Sequence, residues 1–80
     1  MFDLVLICNE EKIFEGEVFE VKVETEDGVV SILPNHQAYM TRIAKVVSYR
    51  TKQDKQLSIE IVEGFVYTNG KTCFVVVDRA

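Results

Sequence analysis

Phe65-Val66-Tyr67-Thr68-Asn69-Gly70-Lys71-Thr72-Cys73-Phe74-Val75-Val76-Val77-Asp78 is the stretch whose reading decides the fold. Two runs rich in β-branched and aromatic residues flank Asn69-Gly70. A two-residue hairpin turn selects that pair because both central positions require φ > 0. Cys73, Val75 and Val77 alternate with Phe74 and Val76, the period of a strand. Upstream, Leu57, Ile59 and Ile61 alternate with Ser58 and Glu60 over residues 56–63. Across the polar turn Lys52-Gln53-Asp54-Lys55 that run faces a further strand over residues 43–51. Nearer the N-terminus, Phe19, Val21 and Val23 alternate with Glu20, Lys22 and Glu24, and residues 29–33 form a short strand after Asp27-Gly28. Phe2, Leu4, Leu6 and Cys8 share one face of the first strand. Its reverse face, Val5 and Ile7, is apolar too, which suits burial on both sides. Residues 36–43 offer one helical turn at most.

The bias extends to the whole chain. Val, Ile and Thr supply 24 of the 80 residues, while Ala supplies three and Leu four. β-Branched side chains fit a half-buried pleated surface and lose rotamer freedom in helices. Turn signals recur at Gly16, Asp27-Gly28, Pro34-Asn35, Asp54, Gly64 and Asn69-Gly70. Short strands at that spacing predict an all-β fold, a small two-sheet antiparallel β-sandwich or flattened barrel of about eight to ten short strands. At 80 residues the chain makes one domain, spanning residues 1–80, with a small core.

Several functional classes are excluded by pattern. No apolar run reaches the roughly 20 residues that span a bilayer; the longest, Leu4-Val5-Leu6-Ile7-Cys8, has strand length. Met1-Phe2-Asp3 has no basic region and no small-residue cleavage site follows it, so no signal peptide is read there. Cys8 and Cys73 are too far apart for a C-x-x-C motif and lie in apolar runs, which reads as two buried, inert thiols; the alternative is a structural disulfide, although nothing else in the chain suggests a secreted protein.

The net charge of −4 conceals an asymmetry. Residues 1–28 hold nine acidic and two basic side chains; residues 29–80 hold four acidic and seven basic ones. The local excess is Arg42, Lys45, Arg50, Lys52 and Lys55 against Asp54 alone. Such a stretch is either a solvated strand and turn or a surface for an acidic partner. The pI of about 4.9 argues against nucleic acid.

A catalytic constellation is not visible. His36 is the single histidine, beside a Pro turn, without a second ligand at zinc spacing. Ser31, Ser48 and Ser58 sit in strand patterns with no glycine-flanked elbow. The four glycines are isolated and cannot build a phosphate-cradling loop. Glu10, Glu11, Glu15 and Glu17 lack the ligand spacing of a calcium loop. We therefore expect no catalytic residues, no metal and no cofactor, and a binding or structural module instead.

Three segments in order carry more than any one of them. They are Glu10-Glu11-Lys12-Ile13-Phe14-Glu15-Gly16-Glu17-Val18, then Glu26-Asp27-Gly28-Val29-Val30-Ser31-Ile32-Leu33-Pro34-Asn35-His36, then Val62-Glu63-Gly64-Phe65-Val66-Tyr67 with Cys73–Asp78. Over essentially the whole chain these resemble the N-terminal β-sandwich of the F-type ATP synthase epsilon subunit, called delta in mitochondria. The resemblance implies a non-catalytic central-stalk subunit that links the gamma subunit to the membrane proteolipid ring and helps couple ion translocation to ATP synthesis. It implies a peripheral location on the cytoplasmic face of a bacterial inner membrane, or the matrix or stromal face in an organelle. It also implies no direct membrane insertion, and a monomer when the chain is isolated. Candidate contact residues for gamma and the ring are Asp27, Gly28, Val29, Pro34, Asn35, His36, Tyr39 and Met40, with Cys8 as a weaker addition. His36 then belongs to an interface or only stabilises its own turn; Tyr39 and Met40 belong to an interface or to the core.

The departures fall in turns. Asn35 replaces a usual Gly, and Asn also tolerates the left-handed conformation. Ser31 replaces another Gly, Gln37-Ala38-Tyr39 lacks the usual Pro, Ala44-Lys45-Val46 replaces a Lys-Pro-Gly turn, and Glu63-Gly64 replaces Gly-Gly. The family commonly continues as two antiparallel helices; that C-terminal helical domain, with its inhibitory and nucleotide functions, is expected to be absent. The competing class is an autonomous β-sandwich module recognising an acidic partner through Arg42, Arg50 and Lys52.

Overall fold

The computed structural model describes residues 1–35 and 37–79, so the roles expected of His36 lie outside the described residues. Six strands follow in order: β1 (Phe2–Cys8), β2 (Glu11–Thr25), β3 (Gly28–Ile32), β4 (Tyr39–Thr51), β5 (Gln56–Thr68) and β6 (Thr72–Asp78). Hydrogen-bonded neighbours run β1-β6-β5-β4-β2-β3, and a further β1–β2 pairing closes the first five of these into a ring with β3 outside it. The ring is flattened, 30 × 24 × 19 Å overall. Among the described residues there is no helix, and residues 39–43, where a helical turn was allowed, belong to β4.

The all-β class is as expected, but the strands are fewer and longer. β2 has 15 residues and β4 and β5 have 13 each. Each bends instead of ending. Register shifts interrupt β2–β4 at Val18/Glu20 and Val23/Glu24 and β4–β5 at Ile43/Lys45, where Lys45 takes φ 69°. An extra residue in one strand kinks it and adds twist, so one long strand serves both layers where two short ones were expected. Gly16 and Gly64, expected at turns, lie inside β2 and β5 for the same reason.

The expectation of a purely antiparallel sandwich also fails at one seam. β1 and β6 pair in parallel, with Leu4 opposite Cys73 and Cys8 opposite Val77. No hairpin joins these two strands, so nothing forces them antiparallel, and their pairing closes the ring. That register sets Cys8 and Cys73 four residues apart along the seam, roughly 13 Å, too far for a disulfide.

The core follows the alternation. Leu4, Leu6, Val21, Val23, Cys73 and Val75 are fully buried, each larger aliphatic side chain worth about 1.5–3 kcal/mol of transfer free energy. The one-sided strand at 18–24 is shifted by its bulge: Val18 is fully buried and Phe19 only half-buried. Buried polar side chains are satisfied, with Thr68 Oγ1 accepting from Gly70 N–H and Thr51 Oγ1 from Lys55 N–H.

The turn chemistry is redistributed. The two-residue turn with φ > 0 at both centres is Asn9-Glu10, at 49° and 70°, between β1 and β2. At Asn69-Gly70 only Gly70 has positive φ. The loop there is three residues long, held by Asn69 Oδ1 accepting from Lys71 N–H and Thr72 N–H at 2.9 Å. Asn35 has φ 65°, the left-handed conformation that lets it stand in for Gly.

Candidate functional site

Three surfaces carry the candidate residues. The first is the β2–β3 turn. Thr25 Oγ1 accepts from Asp27 N–H and donates to Gly28 C=O, and Gly28 takes φ 110°, so the loop is tight and presents Asp27, Gly28 and Val29 to solvent. This turn borders an open cleft of about 840 Å³ whose walls also include Arg42, Lys45, Glu63 and Asp78. The second surface is the β3–β4 connection. Pro34 and Asn35 are exposed, and Asn35 N–H donates to Gly70 C=O at 3.2 Å, tying this loop to the β5–β6 turn. Tyr39 packs half-buried against the core, whereas Met40 is 71% exposed.

These two groups are not one patch. Gly28 pairs with Thr25 and Ile32 with Val21, so the turns lie at opposite ends of β3, roughly 13 Å apart along the strand. Cys8 belongs to neither. It is 7% exposed because every even-numbered residue of β1 faces inward, and its thiol is a core group.

The third surface is one that sequence reading did not collect into a site. Cross-strand register sets Met40 beside Tyr67, Tyr67 beside Phe74, and Phe74 beside Val5. The next row is Arg42, Phe65, Val76 and Ile7. These eight residues form one outward face across β4, β5, β6 and β1. Phe65 is 52% exposed, Val76 47%, Tyr67 42% and Phe74 39%. The Tyr67 and Phe74 rings stack at 6.3 Å, and the Arg42 guanidinium lies 5.9 Å from the Phe65 ring centre. Contiguous exposed apolar surface of this kind marks a contact site. The signal was present in residues 4–8, 65–67 and 73–77, where both strand faces are apolar although the core needs only one.

The basic stretch does not converge. Arg42 stands on this apolar face. Arg50, beyond the bulge, lies 4.8 Å from the Phe19 ring centre and bonds Asp54 at 3.1 Å. Lys52 approaches Glu17 at 3.9 Å. Its charges are spread over two layers and partly neutralised.

Among the described residues no three His, Cys, Asp or Glu side chains gather as metal ligands. Burial pushes the Cys73 thiol up to about 12 and raises the Tyr49 phenol, so neither is poised as a nucleophile or base near neutral pH.

Chains of this fold occur in solved assemblies. One, at TM-score 0.87 and 20% identity, is in the cryo-EM structure of the Euglena gracilis mitochondrial ATP synthase OSCP/F1/c-ring in rotational state 1; the match covers 95% of this chain and 49% of that one. The other, at TM-score 0.81 and 13% identity, is in the Tetrahymena thermophila mitochondrial ATP synthase central stalk and c-ring, covering 96% and 63%. The chain thus spans less than two thirds of either relative. The sequence profile of the ATP synthase delta/epsilon chain β-sandwich domain matches residues 1–80, and the chain belongs to that family.

Proposed function

We propose that the chain is a non-catalytic rotor subunit of an F-type ATP synthase central stalk. It seats on the gamma subunit, links it to the membrane proteolipid ring and helps couple ion translocation to ATP synthesis. The observation that carries this reading is the outward apolar face of Met40, Phe65, Tyr67, Phe74 and Val76. A soluble subunit keeps such a face only against a partner, and aromatic residues and Met are enriched at the centre of protein interfaces. The turns around Asp27-Gly28-Val29 and Pro34-Asn35, with Tyr39 at its edge, lie outside that face and supply further contacts to gamma and the ring. His36 is assigned to the second of these turns by sequence alone. The subunit is then peripheral to the membrane, on the side facing the F1 head: the cytoplasmic face in a bacterium, the matrix or stromal face in an organelle.

The test is reconstitution. The chain is mixed with gamma and the proteolipid ring from the same source, and co-elution is measured. Phe65→Glu places a carboxylate in the centre of the face and is expected to weaken binding about thirtyfold or more. Binding that Phe65→Glu leaves intact would show that another surface is used. No co-elution with gamma at low or high salt would sink the rotor reading.

A further inference from the structure

The thirteen residues of β5 have a seven-residue neighbour on one side. Pairing with β6 starts at Glu63–Asp78, so residues 56–61, up to a bulge at Val62/Glu63, pair with β4 on one side and with no strand among the described residues on the other. Other open edges are blunted. The free side of β2 over residues 11–17 carries Glu11, Lys12, Glu15 and Glu17; β3 has five residues, between Gly28 at φ 110° and Pro34; the first half of β4 has Arg42 and the bulge at Lys45. Charges, short length and bulges are the usual protection of an edge. The β5 edge, Gln56-Leu57-Ser58-Ile59-Glu60-Ile61, has one charge and no Pro, and its bulge comes only after Ile61, at Val62/Glu63. Leu57 is 43% and Val62 58% exposed.

We infer that this edge pairs antiparallel with the same edge of a second copy, about a twofold axis at Ile59. Residues whose backbone groups point outward alternate along an edge, so a twofold antiparallel pair must be centred on a residue and not between two. Centring on Glu60 opposes two carboxylates. Centring on Ser58 sets Lys55 against Ile61. Centring on Ile59 matches Leu57 with Ile61 and Ile59 with itself on the core side, and Ser58 with Glu60 on the outer side. No like charges meet, and all five residues 57–61 pair before the bulge at Val62. The four strands β3-β2-β4-β5 then continue into those of the second copy as one sheet. This surface is separate from the apolar face of the proposed stalk contact, and it runs against the expectation that the isolated chain is a monomer.

The experiment is sedimentation equilibrium of the isolated chain from micromolar to millimolar concentration, with hydrogen exchange read across the same range. The expected result is a mass rising from one to two copies and slowing of exchange confined to amides of residues 57–61. Ser58→Glu, on an exposed position, opposes two pairs of carboxylates and should weaken self-association about tenfold. Adding Glu60→Lys turns both pairs attractive and should restore it. Phe65→Glu should leave self-association unchanged. A mass of one copy throughout, protection elsewhere, or loss of association on Phe65→Glu but not on Ser58→Glu would overturn the inference.

Discussion

Replacing Gly64 by Ala tests how closely β5 approaches β6 where β5 turns from one layer to the other. A Cβ at Gly64 would stand 2.5 Å from the Val76 carbonyl oxygen, 2.7 Å from Val77 Cγ1 and 2.9 Å from Val77 Cα. Two of the three contacts are backbone, which cannot rotate away as a side-chain tip does. Relief requires the β5–β6 pair to separate, and overpacking of this kind costs about 1–3 kcal/mol. A backbone contact at 2.5 Å calls for the upper end of that range, and alanine's stiffer unfolded chain returns about 0.4–1 kcal/mol, so the net loss is about 2 kcal/mol. In an 80-residue domain each kcal/mol shifts Tm by roughly 6 °C, which predicts a fall of about 12 °C in thermal unfolding followed by circular dichroism. Two further glycines act as internal comparisons. Gly28 has φ 110° with open space around it, so its Ala variant carries backbone strain alone, about 1 kcal/mol. At Gly16 the nearest atom is the Phe14 ring at 3.3 Å, a side chain that can give by a few tenths of an ångström. The order of Tm loss should therefore be Gly64, then Gly28, then Gly16. A Gly64→Ala protein melting within about 2 °C of the parent would refute the close approach of β5 and β6.

Two other outcomes follow from burial and charge. The folded Cys73 thiol sits near 12 and the unfolded thiol near 9, so above pH 9 the unfolded state releases a proton that the folded state keeps. From this thiol stability should fall by about 1.4 kcal/mol per unit between pH 9 and about pH 12, the raised Tyr49 phenol adding to the fall at higher pH, and a Cys73→Ser control should lose the thiol's share in urea titrations. Arg50→Ala removes a stacked guanidinium at 4.8 Å from Phe19 and an exposed ion pair with Asp54, and should cost about 1 kcal/mol or less in urea denaturation. A larger loss would mean that the Arg50 stem packs more than its exposure shows.

The fold was legible where one face of a strand is apolar and the other is not. Phe2, Leu4, Leu6 and Cys8 and then Cys73, Val75 and Val77 read correctly because period two survives locally without knowledge of any partner strand. Val18 did not, since a bulge shifts the inward parity by one and only the pairing with β4 reveals it. Asn69-Gly70 carries the signal of a two-residue turn and Asn9-Glu10 does not, because Glu in a left-handed conformation contradicts its own propensity. The two turns at the ends of β3 were legible as exposed loops; that they are apart was not, since a linear motif carries no distance. The face of Phe65, Tyr67, Phe74 and Val76 was hidden by its own strength. Apolar residues on both sides of a strand read as burial on both sides, and only the count of layers shows that one side is left facing water.

The route by which the strands cross between layers bears on the proposed rotor role. In a sandwich of two separate sheets, shear of one sheet over the other is resisted by side-chain packing alone. Here β2, β4 and β5 each belong to both layers, and β1 closes the ring by pairing with β2 and β6. Shear between the layers therefore loads covalent backbone and ladder hydrogen bonds as well as the core. The compliant points are the register shifts at Val18/Glu20, Val23/Glu24 and Ile43/Lys45. The last of these borders the cleft beside Val29 and Glu63. A torque applied across the apolar face enters at β4, β5, β6 and β1, four neighbours in one continuous ladder. It reaches the Asp27-Gly28 turn through β2, and the Pro34-Asn35 turn also through the Asn35–Gly70 backbone bond. A wedge built this way transmits force without a titrating residue, and its stiffness depends on close backbone approaches such as that at Gly64.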